Sequence, residues 1–232
     1  IENIKHSVKF NENKMKNEIN NFDFDLIRES QDLNDIIISK SLNLDEIKHE
    51  NGIEDIKLCD SNGITLEKSE ENSLKISEKI ENNLKNYKFD KILLDEVDAI
   101  DLALLKERRL IERTTPAYSE ATELLHTTTE SKSILINGND HIKLQIAHNG
   151  LSANLLWPQI SHLDDELMHI FQYAFTDQFG FLTSSLNQLG TSLKVEILLH
   201  LPAFVFTGRI NQKIHQLLGE GILIRHYFDE TE

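Results

Sequence analysis

The sequence predicts an α+β protein: a mostly antiparallel sheet flanked by helices. Three observations carry this. Several short runs are β-branched or strictly alternating, two of them joined by a four-residue polar loop. Between them lie longer runs with apolar residues at three- and four-residue spacing. In chain order these segments read strand-strand-helix-strand-strand-helix-strand, with a hairpin and without the regular βαβ alternation of a parallel sheet.

Taken in order, Ile1–Asn21 is polar, Asn-rich and weakly patterned, either a frayed helix or a disordered lead-in. It has no apolar core of the kind a signal peptide needs. Asp35-Ile-Ile-Ile-Ser39 reads as a buried strand and Asp60-Ser-Asn-Gly63 as a turn. Ser69–Leu84 places Leu74, Ile76, Ile80 and Leu84 near helical spacing. Asp95–Leu110 is a second helix, with Val97, Ile100, Leu104 and Leu105 on its expected apolar side and Leu94, Leu102 and Leu110 broadening that face. Ser133–Asn137 and Ile142–Ala147 form a hairpin around Gly138-Asn-Asp-His141. His162–Thr176 reads as a helix opened by the acidic cluster Asp164-Asp-Glu166, with Trp157-Pro158 ending the segment before it. Phe181–Thr183 is a short strand. Ser192–Leu201 alternates strongly and is stopped by Pro202. Phe204–Leu218 is a helix ended by Gly219 and Gly221, and Ile222–Tyr227 is a last strand. The apolar run Leu198–Phe206 is expected in the core.

Composition narrows the function classes. The 232 residues include 39 acidic and 24 basic ones, a formal net charge of −15. Such a chain repels polyanions, which argues against nucleic acid as a partner. No apolar run reaches the roughly 18 residues of a membrane span, so no membrane partner is expected either. A single cysteine, Cys59, excludes a disulfide framework and fits a cytoplasmic protein. His162 and His169 stand seven apart on one helix, without the four-residue spacing of a metal pair, and read as solvent-edge side chains. Asp140 reads as a turn cap and His141 as a strand-edge residue. Ser185 reads as an ordinary loop serine. No metal is expected.

Four stretches lie in register over about Asn137–Arg225: Asn137-Gly-Asn-Asp-His-Ile-Lys-Leu-Gln145, Asp177-Gln-Phe-Gly-Phe-Leu-Thr183, Leu189-Gly-Thr-Ser-Leu-Lys194 and His200-Leu-Pro202, continued by Arg209-Ile-Asn211 and Leu218–Arg225. This half resembles the ATP:guanido phosphotransferases, the phosphagen kinases, and most of all their bacterial protein-arginine kinase branch. In the family these stretches read approximately NEEDHLRIQ, LGYLT, CPTNVGTGLRASVMLHLP and QIN. Glu107-Arg-Arg-Leu-Ile111 resembles the helix before this core, and Asp35–Ser39 resembles the strand entering the family's SSRIRLAR segment. The resemblance implies a phosphagen-kinase-like catalytic-domain fold over residues 31–232, best matched over 105–228, behind a polar N-terminal segment 1–30. It also implies that the chain stops short of the family's further C-terminal segment.

The implied reaction moves the γ-phosphoryl of Mg-ATP to a guanidinium. It requires fixed cations around the triphosphate, a carboxylate acting as base, and a pocket holding both substrates in line. The family supplies arginines, the second Glu of NEED, and a cysteine beside the guanidinium. Here Asn139 stands at the base position, with Gly138 before it, and Ser185 at the cysteine position. Lys143 and Lys194 replace arginines; with Arg225 they are the vestigial nucleotide-binding positions. Glu196 stands where a serine is usual, and Ser41, Asn43 and Glu46 fall at SSRIRLAR arginine positions. An amide cannot serve as a base near neutral pH, and base and electrostatic terms are each worth about 10²–10⁴ in rate. The resemblance therefore implies a catalytically impaired pseudokinase without a cofactor, regulatory or scaffolding. Its partner would be a protein: an active arginine kinase, that kinase's activator, or a Clp-type protease system. A homodimer is a further expectation. The alternative is a divergent active kinase that uses Mg-ATP, with Glu196 taking over as base. A third reading keeps the fold only for dimer contacts.

Overall fold

A β-branched run such as Asp35-Ile-Ile-Ile loses little side-chain freedom in an extended chain and packs well on a pleated surface. It becomes β1 (Asp35–Leu42), which pairs on both sides in a six-stranded sheet. The computed structural model describes residues 35–47, 56–57, 70–112, 122–150, 153–219 and 222–224. The sheet continues with β4 (Phe89–Leu93), β5 (Glu123–Thr127), β6 (Lys132–Ile136), β7 (Ile142–Asn149) and β11 (Leu193–Leu198). Its order is β11-β1-β7-β6-β5-β4, and every neighbouring pair is antiparallel. Short strands β2 (Leu44–Ile47), β3 (Ile56–Lys57) and β8 (Gln172–Tyr173) make a second sheet, and β9 (Phe175–Thr176) pairs with β10 (Gly180–Phe181). The α+β class with an antiparallel sheet and flanking helices is the class expected from sequence.

Five helices accompany the strands among the described residues: α1 (Glu70–Asn83), α2 (Ala99–Glu107), α3 (Ala153–Ile170), α4 (Pro202–Phe206) and α5 (Ile210–Gly219). On one sheet face, α1 and α3 bury Ile76, Ile80, Leu163 and Leu167 against Leu42, Leu125, Ile134, Ile136 and Leu144. Further along that face, Trp157 and Ile160 of α3 pack on Ile36, Ile38, Ile146 and Leu193. On the opposite face, Leu105 of α2, with Leu94, Leu110 and Ile111, covers Leu124 and Leu135. The sheet is therefore sandwiched, but α2 covers only its β5–β6 side.

One polar pair sits inside the α3 face. Lys40, on the same side of β1 as Ile36, Ile38 and Leu42, reaches across to α3, where Nζ meets Asp164 Oδ2 at 2.6 Å. Their side chains are only 3% and 9% exposed. The ammonium also lies over the Phe181 ring, 4.5 Å from its centroid.

Several expectations are corrected. Helix α3 begins at Ala153, not His162, so Trp157 and Pro158 lie inside it and Asp164–Glu166 lie in its middle. Pro158 misled because it forfeits only the bond to the residue-154 carbonyl, which a long, well-packed helix tolerates. Helix α2 points Leu102 and Leu105 inward, while Ile100 and Leu104 are exposed. Pro202 opens α4, where its missing N–H is harmless. The expected Phe204–Leu218 helix breaks at Gly208 (φ +69°) into α4 and α5. In the apolar run Leu198–Phe206, Phe204 is buried but Val205 and Phe206 are 60% and 89% exposed. Residues 222–224 are not in a strand. The turn at Asp60–Gly63, the N-terminal segment 1–30, Cys59 and Arg225 lie outside the described residues.

Removing one member of a buried ion pair strands the other charge. Lys40→Met is expected to lower unfolding free energy by about 3–5 kcal/mol, and Lys40→Met/Asp164→Leu to recover most of that loss. Urea unfolding of the three proteins checks this.

Candidate active site

Alternation along β1 sends Ile36, Ile38, Lys40 and Leu42 toward α3, so Ile37, Ser39 and Ser41 lie on the other face. Register then fixes their neighbours on that face. Ser39 is opposite Lys194 on one side and Gln145 on the other. Ser41 is opposite Lys143, and Ile37 is opposite Glu196. Lys143, Lys194 and Glu196, singled out by sequence, thus share one sheet face, on the half that α2 leaves uncovered.

The chain after α2 reaches into this face. Arg108 caps the helix, and Arg109 adopts a left-handed conformation (φ +58°). The Arg109 N–H donates to the Lys106 carbonyl at 3.1 Å, and the Leu110 N–H to the Leu105 carbonyl at 3.0 Å. This is a Schellman ending, with Leu105 and Leu110 in the same apolar cluster. Arginine in place of the usual glycine costs about 1–2 kcal/mol of backbone strain, which the apolar contact offsets. The turn folds residues 109–112 back over the sheet. There Gln145 Nε2 donates to the Arg109 carbonyl at 2.6 Å.

Two carboxylates meet three cations at this place. Glu112 Oε1 lies 3.0 Å from Lys143 Nζ, and Glu112 Oε2 accepts a hydrogen bond from Asn139 Nδ2. Glu196 Oε1 lies 3.1 Å from Lys194 Nζ and 3.7 Å from Arg109 Nη1. Burial pushes the Glu196 carboxyl up, but Lys194, which also donates a hydrogen bond, together with Arg109 and Lys143, outweighs it. The net result is a carboxyl held below its usual range. Sequence offered no sign of Glu112, and Arg109 only as part of the run Glu107–Ile111; the contact between Glu112 and Lys143 spans 31 residues and depends on the Schellman turn.

The hairpin loop that carries Asn139 is tied to β1. Asn137 takes the left-handed conformation that asparagine tolerates (φ +54°), and its N–H donates to the His141 carbonyl at 2.9 Å. Asp140 is buried; its Oδ1 accepts from Asn43 Nδ2 at 2.9 Å and from the Ser184 N–H at 2.6 Å. The Asn43 Oδ1 accepts from the His141 N–H at 3.1 Å, and His141 Nδ1 accepts from the Leu44 N–H at 3.1 Å. His141 is fully buried, so its expected place at a strand edge is corrected: an acceptor was needed inside, where β1 passes into β2. Asp140 ties three segments together, which is more than a turn cap does. Ser41 and Asn43 are both buried. A Cβ at Gly138 would stand 2.7 Å from Leu135 Cδ2, so a glutamate there requires Leu135 to shift.

Ser185 lies in the loop that meets Asp140. Its carbonyl accepts from Thr183 Oγ1 at 2.8 Å and from the Gln188 N–H at 3.0 Å. His162 is exposed on α3, with Nε2 3.8 Å from Glu166 Oε1. Among the described residues, no group of three or more His, Cys, Asp or Glu side chains could hold a metal ion. No helix among them is long and apolar enough to cross a membrane.

Two outcomes follow from this geometry. Asn43→Ala leaves Asp140 and the His141 N–H short of partners and is expected to cost about 1–3 kcal/mol in urea unfolding. Because the Glu196 carboxyl is lowered by folding, its contribution is fully present above the unfolded-state value and is lost as pH falls through the folded-state value. Stability measured against pH should therefore differ between wild type and Glu196→Gln at neutral pH. The two curves should converge once the medium is acidified below the ordinary carboxylate range.

Comparison with known proteins agrees with this architecture. A family model described as the ATP:guanido phosphotransferase C-terminal catalytic domain matches residues 59–231. The protein-arginine kinase of Symbiobacterium thermophilum is 31% identical over 137 residues, covering 59% of this chain and 39% of that protein. That of Halothermothrix orenii is 32% identical over 142 residues, covering 60% and 40%. The chain thus spans about two fifths of the length of these curated relatives. A taurocyamine kinase from Schistosoma mansoni shares the fold with a TM-score of 0.56 at 13% identity, over 78% of this chain and 25% of that one. A lombricine kinase does so with a TM-score of 0.56 at 11% identity, over 80% and 52%. With the family model matching most of its length and a sheet built as in these kinases, the chain belongs to the ATP:guanido phosphotransferase family.

Proposed function

We propose that this chain is a noncatalytic guanido kinase relative that acts as a regulatory or scaffolding protein in a protein-arginine kinase system. One observation carries the reading: positions where the family places charged catalytic groups are occupied here by neutral side chains engaged in hydrogen bonds within the chain. Asn139 stands at the base position, and its amide donates to Glu112. Asn43, at an arginine position, spends its amide on Asp140, the Leu182 carbonyl and the His141 N–H. A side chain bonded in this way keeps the loop in place but offers no charge to a phosphoryl group.

The similarity to protein-arginine kinases supports the system in which the chain acts. Its partner in that system is a protein: an active arginine kinase, that kinase's activator, or an associated Clp-type protease. Self-association as a homodimer belongs to the same proposal.

Purified chain incubated with Mg-ATP and an arginine-rich protein is expected to give no phosphoarginine above background. A clear signal overturns the reading. One observation favours a second reading, an active and divergent kinase: the Glu112 carboxylate lies against Asn139, next to the place of the missing base. Under that reading wild type forms phosphoarginine and Glu112→Gln loses it. Glu196 suits the role of base poorly, because its cationic neighbours weaken it as a proton acceptor.

A further inference from the structure

A sheet face lined by Arg109, Lys143 and Lys194 attracts anions, and in this chain the anions are supplied from within. Glu112 reaches Lys143 and Asn139 from the segment that follows α2, and Glu196 reaches Lys194 and Arg109 from β11. The two carboxylates differ in how they are held. Glu196 stands on a paired strand, opposite Ile37 of β1, so the sheet fixes the backbone that carries it. Glu112 rides on a segment that turns at a left-handed arginine and is fastened by Leu110, Ile111 and the Gln145–Arg109 hydrogen bond. A carboxylate offers a cation the same pair of oxygens that a phosphate does.

We propose that Glu112 is an internal plug: its carboxylate occupies the place on Lys143 and Asn139 that a phosphate-bearing ligand would otherwise take. This deepens the noncatalytic reading and rests on it, since it assigns a built-in occupant to the same site. It makes that site a regulated one. Anion binding is suppressed while residues 109–112 lie over the sheet and rises when Glu112 is withdrawn.

The test uses the full chain and inorganic pyrophosphate as probe, with calorimetry at low ionic strength. Removing a carboxylate 3.0 Å from a largely buried ammonium frees most of its attraction for an incoming anion. Glu112→Gln is therefore expected to bind pyrophosphate at least about tenfold more tightly than wild type. The gain should shrink as salt is added. It should disappear in Glu112→Gln/Lys143→Met. Glu112→Ala, which removes the same carboxylate and leaves Lys143 and Asn139 in place, should give a comparable gain and serves as a second variant if Glu112→Gln folds poorly. Equal affinities in wild type and the variants overturn the plug, and so does a gain that survives Lys143→Met. A phosphoarginine assay run on the same samples separates the two ideas. Activity in wild type defeats the noncatalytic reading, whereas an inert wild type without any affinity gain defeats only the plug.

Discussion

Strand β1 is the constraint on which the rest of the molecule depends. It is hydrogen-bonded on both sides, to β7 and to β11, and its two faces have opposite duties. The even-numbered residues anchor α3 through Ile36, Ile38 and the Lys40–Asp164 pair. The odd-numbered residues sit among the charged side chains of the site. A slip of one residue would send Lys40 to the site and Ser39 into the apolar cluster, so burial of one face fixes the composition of the other. The buried ion pair strengthens this choice, since a slip would take Lys40 away from the buried Asp164 carboxylate. At its end β1 passes through Asn43 into β2, and Asn43 then holds the hairpin loop by both ends of its amide.

The chemistry of the uncovered face follows from where its counter-charges come from. Catalysis of phosphoryl transfer relies on cations that are fixed and aimed at charge not yet present, so that none of them must be pulled from another partner during the reaction. Here Lys143, Lys194 and Arg109 already face carboxylates of the same chain. An incoming phosphate must compete with them, and that competition is a reorganisation cost. Lys143 and Lys194 add to it, because an ammonium grips as a point and not as a fork. The arrangement is good for holding the segment after α2 onto the sheet.

Much of this was legible in the sequence, and the exceptions have physical causes. The hairpin around Gly138–His141, strand β11 and helix α1 all show in their periodicity, and the register of the family motifs points to Asn139, Lys143, Lys194 and Ser185 as positions of one site. The structure brings Lys143 and Lys194 to one face and Asn139 to its rim. Strands β4 and β5 escaped because Phe89–Leu93 and Glu123–Thr127 are five residues long and mix charge with apolar side chains, too little for a period of two to stand out. The start of α3 was hidden by Pro158, a residue that ordinarily ends a helix. Glu112 could not be found at all. Its place beside Lys143 arises from a left-handed arginine, a conformation that composition and spacing do not announce.

The crossing of Gly180 and Gly190 has a wider consequence. Phe181 and Gly190 exchange backbone hydrogen bonds at 3.0 and 3.3 Å, and a Cβ on Gly180 would stand only 2.7 Å from the Gly190 backbone. The segment between them, with Ser184 and Ser185, is thus pinched at its neck, and one more tie runs from the Ser184 N–H to Asp140. None of these anchors uses the side chains of residues 184–188. The segment behaves as a cassette in a fixed mount: its side chains can be exchanged and each new one still delivered to the same address.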